Sequence, residues 1–179
     1  MKQCTIDPDH SVATFAIRHL MIAHVRGMFP KVTGTIRYDG QDITRSSVEA
    51  GIDVSSLSTG VKKRDEHVLS NEMLDAARYP TMTFRSTGVE RKAGNALAVH
   101  GDLSIHGVTK PVVFTADHFG PVKSPWGGEV SLGFTCRGTI DREDFGVTWG
   151  SDPLEGGGLI AGREVEITLD VEADLPPDR

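Results

Sequence analysis

Apolar and polar positions alternate with a period of two over most of this chain. That is the pattern of strands with one apolar face and one wet face. Residues 12–29 show it first. Ala13, Phe15 and Ile17 fall on one side, and Val12, Thr14, Ala16 and Arg18 on the other. The alternation breaks at His19-Leu20-Met21-Ile22 and resumes at Val25, Gly27 and Phe29. This predicts a strand, a short apolar turn or helical plug near 19–23, and a second strand. A plug of Leu and Met has to lie against another apolar surface. The alternating segments at 33–39, 48–54, 81–87, 97–105, 112–118, 130–140 and 164–173 supply one.

Residues 55–80 depart from this pattern. Lys62 to Leu69 is charged and lacks the two-residue period, while Val61, Arg64, Val68 and Leu69 fit one helical face loosely. Ser70 reads as an N-cap ahead of a short helix that turns Met73 and Leu74 inward, and Tyr79-Pro80 ends it. A helical insertion near 60–76 follows. Residues 106–111 read as a turn, and 120–128 as a Pro/Gly loop around Trp126.

About eight or nine strands, each with a single apolar face, leave a sandwich or a closed barrel. Strand lengths and hairpin-like connections favour an all-β fold, an eight-stranded antiparallel up-and-down β-barrel with short helical insertions. A barrel of that size is filled by its side chains or holds one small ligand. The inward set includes the small residues Ala13, Ala50, Gly101, Ala116, Cys136, Gly138 and Ala173, which leave space. The plug and the insertion are large enough to fill that space, so the pattern accommodates both a hollow and a solid barrel.

A chain of 179 residues is expected to form one domain over 1–179, with a loose tail at 174–179. A net charge of −6 argues against nucleic acid or an anionic membrane surface as a general partner, because either needs a basic face, while the 19 Lys and Arg leave room for local basic patches. Cys4 and Cys136 show no metal-binding or redox spacing and are expected to be free thiols, Cys136 as a small core residue. The first residues contain no apolar leader core, and no run approaches a membrane span, so stable membrane insertion is not expected. The plain expectation is a cytoplasmic protein, or a periplasmic or secreted one if a leader was removed.

The ordered motifs D-P-D-H-S, A-T-F-A-I-R-H-L-M-I, V-R-G-M-F, S-V-E-A-G-I-D-V-S-S-L-S-T-G, R-D-E-H-V-L, Y-P-T-M-T-F-R-S, G-D-L-S-I-H-G-V-T-K-P-V and D-F-G-V-T-W carry a resemblance. In that order the chain resembles the YceI-like family, also described as polyisoprenoid-binding and lipocalin-like, from about Thr5 to Ala173. The resemblance implies an eight-stranded barrel with an elongated apolar pocket for a long isoprenoid or similar lipid, often as a homodimer. His118 departs from the pattern, standing where the apolar phase prefers a large hydrophobe.

On this reading the ligand wall is Phe15, Ile17, Phe29, Ile36, Ile52, Leu74, Met82, Phe84, Leu103, Phe114, Phe134 and Trp149. Arg18, His19, Arg26, Arg64 and His67 lie in or near the irregular segments, where they are placed to meet a diphosphate or other head group. Burying one CH₂ is worth about 0.8 kcal/mol, so a prenyl unit gains roughly 4 kcal/mol gross. Association costs on the order of 4–15 kcal/mol, so a few units suffice. His19, His24 and His67 lack metal-ligand spacing, and the chain has neither a G-x-S-x-G elbow nor a phosphate loop. No cofactor and no catalysis are expected, apart from a bound isoprenoid or quinone-like molecule. The alternative is an enzyme or regulator acting on a lipid head group at the barrel mouth.

Overall fold

The structure, a computed structural model, describes residues 1–125 and 128–176. Among them the alternating segments fold into one antiparallel sheet. Its strands are β1 (Lys2–Ile6), β2 (Val12–His19), β3 (Ala23–Phe29), β4 (Val32–Tyr38), β5 (Ser47–Asp53) and β6 (Thr81–Arg91). β7 (Ala96–Ile105), β8 (Val108–Lys123), β9 (Val130–Asp141) and β10 (Ala161–Leu175) complete it. The sheet runs β1-β4-β5-β6-β7-β8-β9-β10, and β10 returns to pair with β1. That closes an eight-membered ring, which leaves none of its members with an open flank.

Closure depends on β10. One flank pairs with β9 from Glu164 to Leu175. The other pairs first with β2, between Ala161 and Asp170, and then with β1 at Ala173 and Asp174. β1 and β2 are thus two halves of one long strand. β3 and β4, which pair with β2 and β1 in turn, are two halves of its neighbour. Between the first two halves, the Asp7 amide donates to the Glu172 carbonyl at 2.9 Å. The buried Ser11 hydroxyl accepts from the Glu172 amide at 3.1 Å, so a side chain takes over where the backbone ladder stops.

β1 is a strand that the alternation at 12–29 did not reveal. It is short, yet Cys4 and Ile6 are almost completely buried. The tail begins later than expected, because Asp174 and Leu175 pair with Ser131 and Val130 inside the sheet. The expectation for 177–179 and for Trp126 falls outside the described residues. β8 starts early because His106 (φ 52°) and Gly107 (φ 75°) make a two-residue hairpin turn, with Ile105 opposite Val108. Pro111 then lies within the strand, opposite Asp102.

The segment near 19–23 contains no helix and plugs nothing. It is a tight turn in which the Ile22 amide donates to the His19 carbonyl at 3.1 Å. Its central residues, Leu20 (φ 49°) and Met21 (φ 59°), are left-handed, the conformation a mirror-image hairpin turn demands of both positions. It costs an L-residue with a Cβ on the order of 1–2 kcal/mol. The turn residues point to solvent, with Ile22 80% exposed. In the second insertion the helix, α1, spans Lys62–Leu69. The stretch from Ser70 to Tyr79, expected to be helical, is a run of turns with Asp75 left-handed.

At the end of the barrel away from α1, Ile43, Leu97 and Ala116 form a buried cluster with Tyr38 against it. The His118 ring lies between Tyr38 and Phe134, with centroids 5.7 and 5.1 Å away, and its buried Nε2 has no hydrogen-bond partner among the described residues. Burial holds its pKa below the ordinary 6.5. The unfolded chain therefore takes up this proton more readily than the folded one. The stability this site contributes is complete above the unfolded value and is lost as the pH falls towards the folded one. His10 is held above 6.5 by its 2.7 Å contact with Asp7, so its own contribution changes only above that value. Urea titrations are expected to show the midpoint falling as the pH drops below about 6.5, with His118→Phe removing much of that fall.

Candidate functional site

The inward faces of the strands do not meet. They surround a cavity of about 690 Å³ that runs from α1 towards the Ile43 cluster. This lies within the roughly 300–1,000 Å³ of small-molecule sites. Every side chain assigned above to the ligand wall lines it, from Phe15 to Trp149. Leu74 reaches the wall from the turns after α1, and Trp149 from the loop between β9 and β10.

What keeps the lumen open is where the phenyl rings lie. A Cβ on Gly138 would stand 2.6 Å from the Phe114 ring, and one on Gly101 would stand 2.4 Å from Phe84. A Cβ on Gly27 would stand 2.5 Å from Phe15, its partner on the neighbouring strand. Each ring therefore occupies the space a neighbouring glycine leaves and lies against the barrel wall. Phe84 and Phe114 also contact edge to face, with centroids 5.4 Å apart. The small residues of the inward set open the barrel by seating rings.

One end of the cavity is basic. Arg18, His19, Lys63, Arg64 and His67 line it there, and among the described residues no Asp or Glu contributes to the wall. Arg26 does not line it. As the partner of Ala16 on β3, it points outward and is exposed. Lys63 joins the set instead, a position the sequence showed only as one more charge on α1. Arg64 donates through Nε to the Thr59 hydroxyl at 2.7 Å and through Nη2 to the Thr59 carbonyl at 2.9 Å. The same Thr59 hydroxyl donates to Asp65 at 2.5 Å, which ties the start of α1 to the rim. His67 holds Glu72 at 2.8 Å and meets Trp149 edge to face at 4.6 Å, joining α1 to the β9–β10 loop. α1 has no fully buried residue; Val68 and Leu69, half-buried against the core, and these polar links together hold it at the opening.

Two further wall residues carry chemistry. Arg142, 4% exposed, follows β9 and was not visible as a site residue, because its neighbours read as an acidic strand-end turn. Its guanidinium donates to the carbonyls of Gly162, Val147 and Ala161 at 2.7, 2.7 and 2.9 Å and to the Ser151 hydroxyl at 3.1 Å. It thereby fixes the loop that carries Trp149. Burial lowers its pKa, with Glu143 and Asp141 opposing the shift. Cys136 is a free thiol on the wall, and burial pushes its pKa up to about 11. Away from the cavity, Asp7, His10 and Glu172 place ligand-type atoms within 4.8 Å of one another at the β1–β2 break, where Asp7 and His10 already bond each other.

A ring of eight antiparallel strands around an apolar lumen defines a lipocalin-like barrel. Within that class the chain belongs to the YceI-like family, whose domain model matches residues 4–173. A UPF0312 protein of Vibrio cholerae is 39% identical over 138 residues, covering 77% of this chain and 72% of that one. The crystal structure of Burkholderia cenocepacia BcnA superposes with a TM-score of 0.81 at 24% identity, covering 93% of this chain and 98% of that one. A polyisoprenoid binding domain from Saccharophagus degradans superposes with a TM-score of 0.71 at 16% identity, covering 98% and 100%. Both superpositions report the fold.

Gly138→Val displaces the Phe114 ring into the lumen. The variant is expected to fold with stability lowered by about 1–3 kcal/mol and to hold less ligand, as read by thermal melts and by the volume of the cavity in a crystal structure. Arg142→Met leaves three carbonyls without their donor. Each costs on the order of 1–3 kcal/mol if it stays buried, so the 146–162 loop is expected to lose hydrogen-exchange protection before the strands do.

Proposed function

We propose that this protein binds and carries a long-chain isoprenoid or similar lipid, with the chain in the barrel and an anionic head group at the basic rim. The observation that carries this reading is the hollow apolar lumen with basic side chains at one end and, among the described residues, no carboxylate on its wall. In a chain of net charge −6, excluding acidic groups from one surface favours an anion there. The lumen supplies affinity through the area it removes from water, at about 25 cal/mol per Å². It supplies little discrimination between chains of similar girth, because dispersion and desolvation are non-directional. Discrimination falls to the rim, where Arg64 presents a guanidinium already oriented by Thr59 and Lys63 a mobile point charge. The Saccharophagus degradans domain that shares this fold is a polyisoprenoid binding domain, which supports this assignment.

The test is an organic extract of the purified protein, analysed by mass spectrometry, together with binding of farnesol and farnesyl diphosphate to the delipidated protein. A stoichiometric long-chain lipid and binding of both probes are expected. An empty extract with neither probe bound overturns the assignment. Lys63→Glu is expected to weaken the diphosphate by about fivefold to tenfold while leaving the alcohol unchanged, since one exposed charge contact is worth about 1 kcal/mol.

A further inference from the structure

We propose that the turn between β2 and β3 is a membrane-docking tip that seats the mouth of the cavity on an anionic lipid bilayer. This rests on the carrier reading for its purpose, though not for its evidence. The tip is Leu20-Met21-Ile22, with exposures of 40%, 46% and 80%. Beside the opening Val61 and Trp149 are also large, apolar and exposed, at 47% and 37%. Isolated exposed hydrophobes are ordinary on a protein surface, but three in succession at the apex of a hairpin are not.

The backbone makes the choice of residues more pointed. Leu20 and Met21 occupy left-handed positions where Asn-Gly is the favoured pair. Local stability would replace both, and water would prefer polar side chains at all three. The turn is also held firmly, since Ile160 accepts from the Leu20 amide at 3.0 Å and contacts the His19 ring at 3.1 Å. A fixed, strained, apolar apex next to a cavity mouth fits insertion among acyl chains.

Charge identifies the surface it meets. The tip is flanked by Arg18, His19, His24 and Arg26, all exposed, and no Asp or Glu occurs between Asp9 and Asp39. Lys62, Lys63 and Arg64 begin α1 on the same rim. Acidic groups near the rim are largely engaged: Asp65 with Thr59, Glu66 with Lys62 at 3.8 Å, and Glu72 with His67. Asp144, Asp152, Glu155 and Glu164 are exposed across the connection from β9 into β10, so docking tilts the barrel towards its hairpin side. An apolar apex inside a basic collar matches an anionic interface: the apex enters the acyl boundary and the collar meets the head groups. None of the three tip residues lines the cavity. A lipid leaving the bilayer would then enter the lumen beside Arg18 and Trp149 without crossing open water.

The experiment pairs flotation of the intact protein on phosphatidylcholine vesicles, with and without phosphatidylglycerol, with farnesol uptake from solution. The variant is Leu20→Asn, Met21→Gly, Ile22→Thr, which supplies the residues the turn geometry favours. It is expected to melt no lower than the parent and to take up farnesol equally. Its binding to anionic vesicles is expected to be weaker by about tenfold or more. Parent binding is expected to drop in about 1 M salt, where the Debye length is about 3 Å. Equal vesicle binding by parent and variant overturns the proposal. So does a parent that ignores vesicles and is a dimer by light scattering while the variant is a monomer, which would assign the tip to a second copy. A parent that takes up farnesol yet ignores vesicles overturns docking and leaves the carrier reading standing. Tip-dependent vesicle binding without farnesol uptake supports docking and removes the carrier reading.

Discussion

A sheet with one apolar face has to cover that face, and this one covers it with itself. Wrapping is not enough to leave a lumen, because phenyl rings extended towards the axis would fill it. Here Phe15, Phe84 and Phe114 lie over Gly27, Gly101 and Gly138 of adjacent strands. The contact is local, ring on bare backbone, and it turns the bulkiest residues from fillers into wall. Everything proposed for the interior depends on those seats.

The ring that holds the seats is completed at one strand. β10 bonds β9 along one flank and divides its other flank between β2 and β1. The division is bridged by Ser11 and Glu172 at one point, while Arg142 secures the loop leading into β10 from the other end. Closure and mouth are therefore coupled. The residues that bring β10 into place also fix Trp149 and, through His67, the helix over the opening.

The barrel was legible because period-two alternation survives in nearly every strand, and the same alternation named the wall residues apart from Leu74 and Trp149. Four things were not. The short β1 has only Cys4 and Ile6 to mark its inner face. At 19–23 a bulky apolar run resembles a plug, and nothing local shows that Leu20 and Met21 adopt backbone angles usually left to glycine and asparagine. Arg142 sits among Asp141, Glu143 and Asp144, which disguise it as a surface charge, whereas its partners are carbonyls from residues far along the chain. Hollowness itself was undecidable from composition, since small inward residues accompany both lumens and tight ring packing; here they accompany both at once.

The cysteine on the cavity wall sets the chemistry that a molecule entering the lumen would meet. Thiol additions and oxidations proceed through the ionised sulfur, and at neutral pH a group with a pKa of about 11 keeps on the order of one molecule in ten thousand in that form. Unsaturated chains and electrophilic rings held against Cys136 thus face an inert neighbour. The burial that keeps the compartment dry also keeps its wall thiol unreactive.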